Sequence, residues 1–100
     1  MSGVVIGKFK IKTSKDVTVE YSELCDCDEI YIVDVNGSKF QVSYRFWSEI
    51  AEPQIWILHD NGEADLICTT KKLSKTKKVD TIKSAFIAYM IGNGMLEIAD

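Results

Sequence analysis

This chain has little of several things, and each shortage narrows its class. Across 100 residues it has one proline, Pro53, and no stretch rich in glycine, serine or proline. It therefore contains no recognisable linker, and residues 1–100 are expected to form a single domain able to build its own core. No apolar run approaches the roughly 18–20 residues of a membrane helix. Met1–Lys12 alternates charge with hydrophobe, unlike an export signal. The only cysteines are Cys25, Cys27 and Cys68, an odd number that points to free thiols in a soluble, cytoplasmic protein. Cys25-Asp26-Cys27 lacks the spacing of a zinc site, and the lone histidine, His59, could add only one ligand from a distant turn. Neither a metal nor another cofactor is expected.

Catalytic signatures are equally sparse. There is no glycine-rich loop opening a helix, since Gly92-Asn93-Gly94 follows one. His59 falls at a hairpin end with no serine or cysteine nucleophile expected beside it, and reads as a solvated turn residue. The carboxylates are numerous but define no cleft. No catalytic residue is assigned, and the protein is expected not to be an enzyme.

Alternation of period two is abundant. Val4–Lys12 and Val17–Tyr21 read as half-buried strands. Pairing them through Thr13-Ser14-Lys15 sets Ile11 against Val17, Phe9 against Val19 and Lys8 against Glu20. Asn36-Gly37 is a strong hairpin signal, because a type I′ turn needs positive φ at both central residues. A two-residue loop there pairs Asp34 with Lys39, Val33 with Phe40, Tyr31 with Val42 and Asp28 with Arg45. After a break at Ser48–Pro53, where SEIAEP is compatible with one helical turn, Gln54–Leu58 resumes the sheet. A three-residue turn at Asp60-Asn61-Gly62 would pair His59 with Glu63 and Trp56 with Leu66, avoiding the Asp60–Glu63 repulsion of a two-residue turn.

One segment is helical. In Asp80–Ile91 apolar residues recur at Ile82, Ala85, Phe86, Tyr89 and Met90, with Asp80 as N-cap and Gly92 free to adopt the terminating left-handed conformation. The last six residues, Met95–Asp100, are compatible with a short edge strand or a tail along the helix. The expected fold is α+β, an antiparallel meander of about six strands curled around one C-terminal helix. Six strands span roughly 24 Å and a helix covers about 10–12 Å. The sheet must curl, or leave apolar surface such as Ile30, Ile32, Trp47 and one face of Gln54–Leu58 for another chain.

Charge is segregated. Between Asp16 and Ser38 there are seven acids and no base, whereas KKLSKTKK at 71–78 carries five lysines and no acid. Two readings follow, against a background of ordinary solvated surface. In the first, a non-catalytic protein uses an acidic loop, Glu23, Asp26, Asp28 and Glu29, to occupy the basic, nucleic-acid-binding surface of a protein partner. Immunity proteins, antitoxins and virus-encoded anti-defence inhibitors are of this general type. In the second, Lys71, Lys72, Lys75, Lys77 and Lys78, with the lysine-rich first strand, bind single-stranded nucleic acid while tyrosine or tryptophan rings stack on bases. The net charge of −3 disfavours the second. Neither reading needs a membrane, and a homodimer is compatible with both.

Overall fold

The computed structural model describes residues 9–26, 28–46 and 52–99. Five antiparallel strands form a sequential meander, in which each strand pairs with the next: β2 (Val17–Cys25), β3 (Asp28–Val35), β4 (Ser38–Arg45), β5 (Gln54–Leu58) and β6 (Ala64–Thr69). A short parallel pair stands apart, β1 (Phe9–Ile11) with β7 (Leu96–Ile98). The helix α1 (Lys75–Gly92) lies against one face of the meander and precedes β7. The α+β class is as expected, with five strands in the meander and the first strand outside it.

The Asn36-Gly37 turn governs the central register. Asn36 and Gly37 have φ of 52° and 92°, and Asp34 Oδ1 accepts from the Gly37 N–H at 2.9 Å. The pairs Asp34–Lys39, Val33–Phe40, Tyr31–Val42 and Asp28–Arg45 form as the two-residue loop requires. This register sends Tyr31, Val33, Val35, Val42 and Tyr44 to the helix side, where all are buried. The β5–β6 turn is the three-residue form: Gly62 has φ 90°, the His59 N–H donates to Glu63 O, and Trp56 faces Leu66.

The β1–β2 hairpin does not form. Thr13 and Asp16 instead build a capping box around a 3₁₀ turn at Ser14–Asp16. The Asp16 carboxylate accepts from the backbone N–H groups of Lys12 and Thr13, at 2.7 and 3.3 Å. Those bonds hold its pKa below the usual carboxylate range, Lys12 contributing most. The turn sends β1 away from β2, whose partner is β3, with Val17 opposite Val35. Ile11 and Val17 still share the core, and Phe9 meets Phe40 edge-on at 5.6 Å. Lys8 of the expected Lys8–Glu20 pair, Trp47, and residues 48–51 of the turn expected at Ser48–Pro53 lie outside the described residues.

The helix buries Ile82, Phe86 and Met90, within the anticipated stripe. Phe86 is fully buried and packs on Phe40 at 5.2 Å between ring centroids. Its ends differ from expectation. Ser74, not Asp80, is the N-cap, its hydroxyl accepting from the Lys77 N–H, so the helix begins inside the lysine run. At the other end Gly92 is still helical, and Gly94 carries the positive φ, 69°. The Met95 N–H reaches Met90 O and the Gly94 N–H reaches Ile91 O, which satisfies the last carbonyls and delivers the chain to β7.

Candidate binding surfaces

Glu23–Glu29 is a tight hairpin and not an open loop. β2 continues to Cys25, Cys25 pairs with Asp28, and the reversal passes through Asp26, whose φ is 56°. Aspartate tolerates this left-handed conformation better than most residues. A β-bulge lies between Tyr21 and Glu23. Glu20 faces Ile32 and Glu23 faces Ile30, so the extra residue, Ser22, returns both glutamates to the face away from the helix.

The four acidic residues singled out in the sequence divide into two pairs. Asp28 is held by Arg45 through two hydrogen bonds, Nε to Oδ1 at 2.9 Å and Nη2 to Oδ2 at 3.1 Å. Its carboxylate raises the Arg45 pKa. The guanidinium also lies 5.3 Å from the centre of the Trp56 ring. Glu29 points to the helix side, where its Oε1 accepts from Lys78 Nζ at 2.9 Å and from the Tyr31 hydroxyl at 2.8 Å. Burial first, and then Glu29, raise the Tyr31 pKa. Glu23 and Asp26 are exposed and form no ion pair among the described residues, and the same holds for Glu20. The acidic surface is therefore Glu20, Glu23 and Asp26 along an edge strand and its turn.

The lysine run divides too. Lys71 and Lys72 precede the helix, while Lys75, Lys77 and Lys78 lie in its first turns. Lys78 and Lys75 fall four and seven residues before Ile82, on the stripe that faces the sheet. There Lys78 sits 4.7 Å from the centre of the Tyr44 ring as well as on Glu29. Lys75, Lys78, Glu29, Tyr21 and Tyr31 line a cavity of about 310 Å³. Tyr21 stacks edge-on against Tyr31 at 5.6 Å and is half exposed. Of the first-strand lysines, Lys10 pairs loosely with Glu97 at 3.7 Å. The periodicity that found the helix, extended backwards from Ile82, would have found Lys75 and Lys78. Nothing in the sequence pattern brings Tyr21 to them.

On the face away from the helix, Ile30 is buried, and Ile32, Trp56 and Leu58 are half-buried. Leu66, opposite Trp56 on the edge strand β6, is exposed and also lines a shallow groove with Ala85 and Tyr89 of the helix. Ser43, between Ile30 and Trp56 in the pairing, is 1 % exposed, and its Oγ has no hydrogen-bond partner among the described residues. Towards the C-terminal part of the helix, Asp65 Oδ2 joins His59 Nε2 at 2.9 Å and the Tyr89 hydroxyl at 3.0 Å. His59 is thus tied to a carboxylate instead of being merely solvated. The two contacts hold the Asp65 pKa low, His59 contributing more. No group of side chains suited to a metal ion occurs among the described residues, and no described helix is long and apolar enough to cross a membrane. Cys25 and Cys68 are free thiols. No protein-family model, curated protein or solved structure matches the chain significantly.

Proposed function

We propose that this is a non-catalytic binding protein that occupies the basic, nucleic-acid-binding surface of a partner protein, in the manner of an anti-defence or immunity-type inhibitor. The observation that carries this reading is the bulge at Ser22. It sets Glu20 and Glu23 on one face of an edge strand, three residues apart, with Asp26 at the adjoining turn. Carboxylates fixed on a hydrogen-bonded strand lose little further freedom on binding. Their shared sign steers a basic partner towards that edge and raises the association rate. Asp28 and Glu29 serve the fold, through Arg45 and Lys78, and contribute less to the partner contact.

Tagged protein is used to capture partners after nuclease treatment, and light scattering establishes whether the free chain is a monomer or a homodimer. Binding of the recovered partner is then measured as salt is varied. The triple variant Glu20→Gln, Glu23→Gln, Asp26→Asn should associate about tenfold more slowly at low salt and lose most of its salt dependence. Neutralising Lys71, Lys72 and Lys77 should leave that binding nearly intact. If the lysine changes abolish binding while the acidic changes do nothing, the acidic edge is not the contact.

A further inference from the structure

We propose that the cavity between the start of α1 and the β2–β3 hairpin binds a nucleoside phosphate unit, with the base on the Tyr21 ring and the phosphate on Lys75. This site is separate from the acidic edge. It uses the helix side of the sheet, whereas Glu20 and Glu23 occupy the other side.

The helix itself gives the first reason. Its sheet-facing stripe is apolar at Ile82, Phe86 and Met90 and becomes cationic at Lys78 and Lys75. Before Ile82 the stripe keeps one further apolar contact with the core, Val79, while Lys78 and Lys75 put cations beside the aromatic rings of the strands beneath. These lysines do not serve the helix electrostatically. Its first turn contains no acid, and cations at the positive end of the dipole are unfavourable. Lys78 is accounted for by Glu29 and Tyr44. Lys75 has no carboxylate partner among the described residues and lines the cavity.

The rings give the second reason. Tyr21 is 51 % exposed, and its edge-on contact with Tyr31 leaves ring surface accessible. A planar anion fits this pairing of a ring with a free ammonium better than a compact one, because the base gains stacking and the phosphate gains the charge. A volume of about 310 Å³ is at the lower end for small-ligand sites and suits a single nucleotide unit. With Lys78 compensating Glu29, the two lysines and one carboxylate leave the lining with a net charge of +1.

The same chemistry is offered by a free nucleotide and by one unit of a single strand. Amide spectra of the isotopically labelled protein are recorded with a short oligo-dT, with dTMP and with inorganic phosphate. Oligo-dT and dTMP should both move the signals of Tyr21, Tyr31, Lys75 and Lys78. Tighter binding of the oligonucleotide identifies a strand as the natural ligand; equal affinity identifies a free nucleotide. Lys75→Gln and Tyr21→Ala, both at solvent-accessible positions, should each weaken binding about tenfold or more. Lys75→Gln should also reduce the salt slope for oligo-dT by about 0.7. Binding unchanged in both variants, no shifts at this site, or phosphate as effective as dTMP would each overturn the proposal. Because Glu20, Glu23 and Asp26 are untouched, failure here is distinguishable from failure of the acidic-edge reading.

Discussion

Glu29 and Lys78 stand 49 residues apart in sequence and join the acidic hairpin to the cationic helix start. Replacing Glu29 by Gln and Lys78 by Met, singly and together, measures that connection. At 2.9 Å the Coulomb attraction is about 1.4 kcal/mol at the dielectric constant of water and about 6 kcal/mol at an effective value of 20. The side chains are only 15 % and 20 % exposed, so the higher figure applies more closely, but desolvation offsets much of it. Each single change should therefore destabilise by about 1–3 kcal/mol, because it strands the other charge. The double variant should recover part of that, with a coupling of about 1–2 kcal/mol. Urea unfolding followed by circular dichroism at neutral pH reads all four proteins. A second readout is the Tyr31 phenol, whose pKa Glu29 helps to raise. Glu29→Gln should bring it down, though not to an ordinary value, since burial is the larger cause. Single changes that add within about 0.3 kcal/mol would refute the pairing and leave the two charged segments independent.

Four further outcomes are expected. Phe86→Ala should cost about 3–5 kcal/mol in the same assay, much of a small domain's stability, and a loss under about 1 kcal/mol would mean that the helix presents another face. Gly62→Val, at φ 90°, should destabilise by about 1–2 kcal/mol although nothing lies within 4 Å of the added Cβ, because the cost is conformational. Ser43→Ala should be neutral or slightly stabilising, within about 1 kcal/mol, since it removes a buried hydroxyl lacking a partner among the described residues. The Asp16 pKa is lowered on folding, so its contribution is present above the unfolded value near 4 and is lost as pH falls through the folded value. The stability difference between wild type and Asp16→Ala should thus be full at neutral pH and shrink in acid, and a difference that grows in acid would contradict the assigned bonds.

Where local chemistry dictates geometry, the sequence was a sufficient guide. Asn36-Gly37 admits a two-residue turn, and a two-residue turn admits one register, so eight successive pairs between β3 and β4 follow from it. Asp60-Asn61-Gly62 was decided by repulsion, and the observed pairing avoids it. The errors fall where the governing contact is distant or where alternation is interrupted. Ser22 interrupts the period of β2, so alternation alone ends the strand at Tyr21 although its pairing continues to Cys25. The β1–β7 pairing joins segments about 87 residues apart without any turn to announce it. A hairpin through Thr13-Ser14-Lys15 is favoured by the expected Lys8–Glu20 pair, but the Asp16 carboxylate instead accepts from the backbone N–H groups of Lys12 and Thr13 and the chain turns away.

The surfaces were less legible than the fold for a related reason. A run of like charge along a chain becomes a surface only if its members are not neutralised from elsewhere. Of the acids in Glu23–Glu29, the two on β3 are neutralised by partners that arrive from β4 and from the helix. Those that remain exposed belong to the edge strand or its turn. Glu20, outside the original run, joins Glu23 only because a bulge corrects the face by one residue. The lysines follow the same rule. Lys78 turns inward to a carboxylate and a ring, while Lys75, one helical turn earlier on the same stripe, has no carboxylate partner among the described residues and lines the same cavity as Tyr21. Composition therefore located the charged segments, but which charges remain available to a ligand depended on strand parity and helical phase. Those quantities are set by the Ser22 bulge and by the Ser74 cap.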